Sequence, residues 1–176
     1  MPNYKIITAS SDQLYVESTP GYIYGAAAGQ VYDITTGSID VVANGFLLVQ
    51  LTNPANSGKT IYIARIAGGS LVNTTLDIFK NATFSGSGTP ITPHNNNWSY
   101  SDASACTAKY INSATDITSG GTLMITFIQT GGQMLIAFDG RLVIPSSTSD
   151  REYYIRLKNN TNQTNTCSFS LAYWEK

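Results

Sequence analysis

The chain is poor in charged side chains. Asp, Glu, Lys and Arg make up 12% of its 176 residues, which is about half the usual share of a quarter. Small polar residues take their place, with 14 Asn, 21 Thr and 18 Ser. The formal net charge is −1, whereas a nucleic-acid-binding protein needs a basic surface to displace counterions from phosphate. The composition therefore argues against nucleic-acid binding.

Long apolar runs are also missing. The longest run, at 134–138, is far shorter than the roughly 20 residues that span a bilayer. The first residues, MPNYK, lack the apolar core of a secretory signal peptide. A length of 176 residues suits one domain. We therefore expect a single soluble domain that has no signal peptide and does not enter a membrane.

Residues that bind metals or catalyse reactions are scarce. His94 is the single histidine and lies between a proline and three asparagines, so we expect a solvated loop residue rather than a ligand or a catalytic base. The 11 acidic residues are scattered, and a hydrolase built on a facing carboxylate pair is the least favoured function. Cys106 and Cys167 are predicted to be buried free thiols, with a disulfide as the alternative. The sequence predicts no enzyme, no cofactor and no metal.

Apolar residues alternate with polar ones in short segments, which is typical of β-strands. No window of a dozen residues has the period and the caps of a helix. The predicted strands are 47–52, 60–66, 76–79, 106–111, 122–129, 133–138, 141–144, 152–158 and 165–174. Such closely spaced strands predict an all-β fold, a two-sheet antiparallel β-sandwich, with a jelly roll as the preferred topology.

The alternation also predicts which side chains form the core. A bulge at Asp139-Gly140 would change the pattern beyond it, because one extra residue reverses every later side chain. The predicted core contains Leu47, Val49, Leu51, Ile61, Ile63, Leu76, Ile78, Leu123, Ile125, Phe127, Tyr153, Ile155, Leu157, Phe169 and Leu171.

Two regions depart from this pattern. Residues 1–43 hold five of the 11 tyrosines and are predicted to form an N-terminal arm or a pair of edge strands, beside a sandwich domain at 44–176. Residues 83–104 are rich in Gly, Ser, Asn and Pro and carry Trp98 and Tyr100. Loops of this length are uncommon inside a compact domain and are often functional.

The segments at 122–129 and 133–138 are apolar on both faces. The glycine pair between them predicts a β-hairpin. A strand of a sandwich buries one face, so its other face should be polar. Met124, Ile128 and Leu135 are therefore predicted to be covered, either by another subunit or by the N-terminal arm folding back. The shortage of charge favours a subunit interface, where charged groups are few.

Several short motifs resemble those of small jelly-roll proteins encoded by tailed phages, prophages and Gram-positive bacteria. They are NPA at 53–55, SGKT at 57–60, TGG at 130–132, DGR at 139–141, IP at 144–145 and YWE at 173–175. The resemblance covers about residues 45–176 and implies a non-enzymatic structural protein, of the capsid-decoration or fibre-head type, that forms a trimer.

Two functions remain as alternatives. The first is a structural subunit that decorates a virion or another extracellular particle and contacts copies of itself and a capsid or surface protein. The second is a glycan-binding module in which Trp98 and Tyr100 stack against sugar rings and Asn96, with its two neighbouring asparagines, forms hydrogen bonds. Aromatic faces beside amides suit sugars, which combine C–H patches with hydroxyl groups.

Overall fold

The computed structural model describes residues 21–176, and the side chains of residues 23–176. Within residues 21–176, one short helix precedes eleven strands. The elements are α1 (Gly21–Ala27), β1 (Val31–Val41), β2 (Phe46–Thr52), β3 (Ile61–Ser70), β4 (Thr74–Phe84), β5 (Thr89–Ile91), β6 (His94–Asn95), β7 (Thr107–Ser113), β8 (Thr118–Gln129), β9 (Gly132–Ile144), β10 (Glu152–Asn159) and β11 (Asn165–Glu175).

The strands form two antiparallel sheets. Sheet I has the order β6-β1-β11-β3-β9, and sheet II has the order β5-β7-β2-β10-β4-β8. Strands β1 to β4 pair in turn with β11, β10, β9 and β8. Pairing of β11 with β3 and of β10 with β4 joins these ribbons into sheets. This is the jelly-roll order, and the predicted all-β antiparallel sandwich is confirmed.

The main core lies between the two sheets. It is built from alternate residues, for example Leu47, Val49 and Leu51 of β2 and Phe169 and Leu171 of β11, all of them buried. Of the predicted core, the residues outside β8 are all buried. Ile125 and Phe127 of β8 are partly buried and pack against the same cluster.

Leu123 is the exception in the predicted core, because it is 51% exposed. Ile78 pairs with Ile125, but the next residue of β4, Phe79, pairs with Leu123. Met124 is thus an extra residue in β8, and this bulge turns Leu123 away from the core.

A second buried cluster covers the outer face of sheet II. Leu48, Phe79 and Tyr154 point away from the main core and pack with Phe84 at the end of β4. The Phe84 ring reaches Lys109 of β7, whose Nζ lies 4.5 Å from the ring centre. The end of the β4–β8 ribbon therefore lies across its own sheet and shields part of its outer surface.

The predicted hairpin is wrong. Strand β8 pairs with β4 in sheet II, whereas β9 pairs with β3 in sheet I. The turn at 130–131 therefore carries the chain from one sheet to the other. Glycine residues indicate a reversal of the chain, but they do not fix which strand each arm of the turn will join.

The N-terminal region and the long loop both extend the sandwich. Residues 31–41 form β1, which lies between β6 and β11 and pairs with β11 along its length. Helix α1 contacts β11 and β1. Residues 1–20, with Tyr4 and Tyr15, lie outside the described part. The segment predicted as a loop contributes β5 to sheet II and β6 to sheet I.

Both cysteines, Cys106 and Cys167, are buried free thiols. Within residues 21–176, no helix has the length and apolar character needed to cross a membrane.

Candidate functional site

Catalytic and metal-binding groups do not cluster in the described part of the chain. Within residues 21–176, no three His, Cys, Asp or Glu side chains come together as metal ligands would. His94 is exposed on β6. Glu175 is buried, but its carboxylate accepts hydrogen bonds from the Ala105 N–H at 3.0 Å and from the Ser104 hydroxyl. These bonds tie the start of β7 to the end of β11, so we assign this carboxylate a structural role.

Exposed apolar side chains, in contrast, are concentrated in two places. Within residues 23–176, eleven large hydrophobic residues are exposed, and ten of them fall into two groups. The edge patch contains Leu71, Leu123, Met124, Ile128, Leu135 and Val143. The loop patch contains Ile23, Tyr24, Trp98 and Tyr100. Val42 is the eleventh. Scattered single hydrophobic residues on a surface need no explanation, whereas contiguous groups mark interaction sites.

The edge patch follows the last strand of each sheet. Strand β8 ends sheet II and β9 ends sheet I. Ile128 lies opposite Thr75 and alternates with residues that face the core. Its side chain therefore points outward and is 76% exposed. Leu135 lies opposite Ala67 of β3 and is 67% exposed. Met124, at the bulge, is 49% exposed.

The three residues predicted at a subunit contact therefore lie on the two edge strands, with Ile128 on the outer face of sheet II and Leu135 on the outer face of sheet I. They lie on two different sheets, with Met124 and Ile128 on β8 and Leu135 on β9. The second apolar face of each segment is real, and nothing within residues 23–176 covers these side chains. The subunit contact itself stays a prediction.

A cleft of about 230 Å³ opens within the edge patch. Its apolar wall includes Met124, Leu142 and Val143, and its polar wall includes Asn81 and Tyr153. The Tyr153 hydroxyl and the Asn81 Oδ1 are both buried, and neither has a hydrogen-bond partner within residues 23–176. Burial raises the pKa of Tyr153, so its hydroxyl stays protonated and can donate.

Ion pairs close the rim of this cleft. Lys80 Nζ lies 2.9 Å from Asp150 Oδ1, and Arg151 Nε lies 3.3 Å from Glu152 Oε1. Asn81 Nδ2 also donates to Asp150 Oδ1, at 2.7 Å. The amide nitrogen of Asn81 is therefore occupied, while its oxygen is left free for an incoming donor.

The loop patch is held by its asparagines and by Tyr100. Asn95 Nδ2 donates to the Gly29 carbonyl at 2.7 Å, and Asn97 Nδ2 donates to the Ala27 carbonyl at 3.1 Å. The Tyr100 ring lies so close to Gly29 that a Cβ there would come within 2.4 Å of it. Tyr100 thereby packs the loop against the end of α1.

Trp98 takes no part in anchoring the loop. It is 96% exposed, and its indole has no partner within residues 23–176. Asn96 is also exposed, and its backbone N–H donates to the Val31 carbonyl at 2.8 Å. The structure thus brings Trp98, Tyr100 and Asn96 together at one corner of the sandwich, as expected for neighbours in sequence, with the indole presented to solvent.

A wider groove lies beside β5. It measures about 530 Å³ and is lined by uncharged residues, among them Ile39, Thr89 and Tyr110. No unpaired buried polar atom of residues 23–176 lies in this groove, so we place no site there.

Sequence reasoning missed the cleft and the contribution of α1 to the loop patch. The cleft combines Asn81, Met124 and Tyr153, which are far apart in the chain and meet because β4, β8 and β10 are neighbours. A helix of seven residues, GYIYGAA, has too few turns to show a helical period. No protein-family model matches the chain, and neither a curated protein nor a solved structure matches it significantly.

Proposed function

We propose that the protein is a non-enzymatic structural subunit that self-assembles through its edge patch and decorates a virion or another extracellular particle. The observation that carries this proposal is the set of six large apolar side chains left exposed on β8, on β9 and in the turn between β3 and β4. Complete burial of one such side chain is worth roughly 1.5–3 kcal/mol. Six such side chains on and beside two edge strands are therefore expected to be covered in the assembled protein.

The character of the edge strands supports the same proposal. Free sheet edges pair readily with other chains, and proteins usually protect them with charged residues or proline. Strand β8 has neither across Thr118–Gln129, and β9 has only Asp139 and Arg141 as charged residues. Apart from one bulge in each strand, the two edges carry little of the protection that a permanently exposed edge needs.

The low charge of the whole chain points in this direction too. Subunit interfaces are depleted in charged residues, and a net charge near zero lowers the solubility of a free monomer. A surface rich in Ser, Thr and Asn, with only 21 acidic and basic residues in 176, suits close packing against copies of itself.

Light scattering tests the self-assembly. We expect the wild-type protein at micromolar concentration to have a multiple of the 18.9 kDa chain mass. Ile128→Lys and Leu135→Lys should lower that mass while the β-sheet circular dichroism spectrum is retained. Val42→Lys, at an exposed apolar residue outside both patches, is the matched control. A wild-type mass near that of one chain would contradict the proposal.

The trimer and the particle come from the resemblance to phage-encoded jelly-roll proteins. A trimer would give three times the chain mass. Capsid, portal or tail genes beside the gene for this chain would support a virion. Co-sedimentation of the purified protein with particles that lack it would identify the capsid or surface protein to which it attaches.

The exposure of Trp98 favours one second candidate, a glycan-binding module. An indole face that is 96% exposed, next to Tyr100 and the exposed Asn96, could stack on a sugar ring. A glycan array tests this function: a bound sugar should be lost in Trp98→Ala and kept in Ile128→Lys. An array without a hit for the wild-type protein would remove this candidate.

A further inference from the structure

We infer that the contact between copies is head-to-tail, with Trp98 of one copy inserted into the cleft of the next copy. This inference rests on the proposed self-assembly and names the surfaces that carry it. The loop patch and the edge patch would then form the two halves of one interface.

The two patches lie at the same level on opposite edges of sheet I. Asn96 bonds to Val31 of β1, which lies opposite Trp174 of β11. Trp174 lies opposite Tyr62 of β3, which lies opposite Val143 of β9. This row crosses the five strands of sheet I, so its two ends are about 19 Å apart at the usual strand spacing. One end of the row is two residues from Trp98, and the other end lines the cleft.

This placement suits a head-to-tail contact. A copy set edge to edge with the first brings its Trp98 beside Val143 of its neighbour without a shift along the strands. A head-to-tail contact gives a ring if its rotation closes after a whole number of copies, and otherwise gives a filament. Two different patches on opposite edges also fit this arrangement better than a two-fold contact, which uses one patch twice.

The cleft matches an indole in chemistry. Its apolar wall of Met124, Leu142 and Val143 suits an aromatic ring, and the unpaired Asn81 Oδ1 is an acceptor. The indole N–H of Trp98 is a donor without a partner in the described part of its own chain. Insertion would therefore bury an exposed tryptophan and satisfy a buried acceptor in one step.

The volume also favours a side chain over a free small molecule. Small-molecule pockets usually measure roughly 300–1,000 Å³, and this cleft measures about 230 Å³. The volume of the cleft therefore suits one large side chain.

The charges present would not oppose the contact. Lys80 and Glu152 at the rim already have ion-pair partners, Asp150 and Arg151. Residues 91–105 around Trp98 carry only His94 and Asp102 as chargeable acid–base groups apart from Tyr100. No unpaired charge would have to be buried beneath the indole, which is the usual penalty at an interface.

Complementary variants test the head-to-tail arrangement. Trp98→Ala removes the inserted side chain and keeps the cleft, whereas Met124→Arg fills the cleft and keeps Trp98. Each variant alone should dissociate, with a dissociation constant raised about 30-fold or more, as expected for a central tryptophan. An equimolar mixture of the two should form a dimer, because one intact contact remains. Val42→Arg is the control that keeps the wild-type mass.

The other outcomes separate the competing models. A Trp98→Ala variant that keeps the wild-type mass would overturn the insertion and leave the proposed self-assembly standing. Variants that dissociate alone and stay monomeric when mixed would overturn the head-to-tail arrangement. A monomeric wild-type protein would overturn the self-assembly itself, and sugar binding that requires Trp98 in that monomer would support the glycan-binding module instead.

Tryptophan fluorescence gives a second readout. Trp174 stacks on Tyr62 of its own chain, with ring centres 5.3 Å apart, so its surroundings should not change on assembly. The emission of the wild-type protein should shift to shorter wavelength as concentration rises, because Trp98 leaves water. Met124→Arg should abolish this shift. A shift that persists in Met124→Arg would place Trp98 in another contact.

Discussion

Gly140 lies directly against the ring of Trp174, since a Cβ atom at Gly140 would come within 2.3 Å of Cη2 of the indole. Gly140 belongs to a bulge of β9, between the pair Ala137–Arg65 and the pair Leu142–Ile63. The indole thus packs on the backbone of the bulge and stacks on Tyr62. This contact fixes the end of β9 that lines the cleft.

We predict that Gly140→Ala destabilises the protein much more than Gly37→Ala does. Both glycines have positive φ, +80° and +66°, so both substitutions carry the same backbone cost, about 1 kcal/mol. Gly37 has open space around it, whereas Gly140 faces Trp174. The overlap should add roughly 1–3 kcal/mol, measured by urea denaturation. Equal losses of stability in the two variants would contradict the close contact.

Arg156 should be essential for stability because of Asp77. Asp77 is buried, and its Oδ2 accepts from Arg156 Nη2 at 2.8 Å, while Arg156 also pairs with Asp116. Arg156→Met would leave the Asp77 charge buried without a counter-charge. We expect the free energy of unfolding to fall by about 3–5 kcal/mol.

Two further variants complete that test. Lys80→Met removes an exposed ion pair with Asp150 and should change the stability little. Arg156→Met combined with Asp77→Asn should recover part of the loss, because the buried charge is gone. A double variant as unstable as Arg156→Met would show that the arginine acts through its packing on Phe79 and not through Asp77.

Stability should fall in mildly alkaline solution because of the buried thiols. Burial, with a smaller contribution from Asp40, raises the pKa of Cys167 to about 11, and burial also raises the pKa of Cys106. In the unfolded chain a thiol has a pKa of about 8.5. The folded state therefore binds these protons more tightly than the unfolded state. The resulting contribution to the free energy of unfolding is complete below about pH 8.5 and is lost as the pH rises towards 11.

Urea denaturation between pH 7 and pH 10 checks this prediction. The free energy of unfolding of the wild-type protein should decrease above about pH 8.5. The decrease should be smaller in Cys167→Ala, whatever its stability at pH 7. A pH dependence unchanged by this substitution would mean that Cys167 is not the group that titrates.

The parts of the fold that depend on local pattern were predictable. Ile155 and Leu157, and likewise Phe169 and Leu171, face the core as alternation requires, because strand geometry places every second side chain on one face. The bulge at Asp139-Gly140 could also be predicted from the sequence, because adjoining Asp and Gly tolerate positive φ angles. These angles are 50° and 80° in the structure. These features depend only on residues close in sequence.

Features that depend on distant partners were not predictable. Leu123 is exposed because β4 imposes its register on β8, with the bulge at Met124. Strands β8 and β9 likewise join different sheets because β8 pairs with β4 and β9 pairs with β3. Met124, Ile128 and Leu135 could be placed on a second apolar face because their two segments are apolar on both faces. The cleft beside Met124 could not be predicted, because Asn81 and Tyr153 reach it from other strands.

Trp98 and Tyr100 should differ in their effect on the stability of the single chain. Tyr100 packs on Gly29 and fixes the loop to the end of α1, whereas Trp98 touches solvent over 96% of its surface. At a concentration low enough to keep the protein monomeric, Trp98→Ala should change the free energy of unfolding by at most about 0.5 kcal/mol, as for other surface substitutions. Tyr100→Ala should lower it by about 1–2 kcal/mol, because the ring is only partly buried. Chemical denaturation followed by circular dichroism measures both. A Trp98→Ala variant as unstable as Tyr100→Ala would mean that the indole supports its own chain, and the proposed role in a neighbour's cleft would lose its basis.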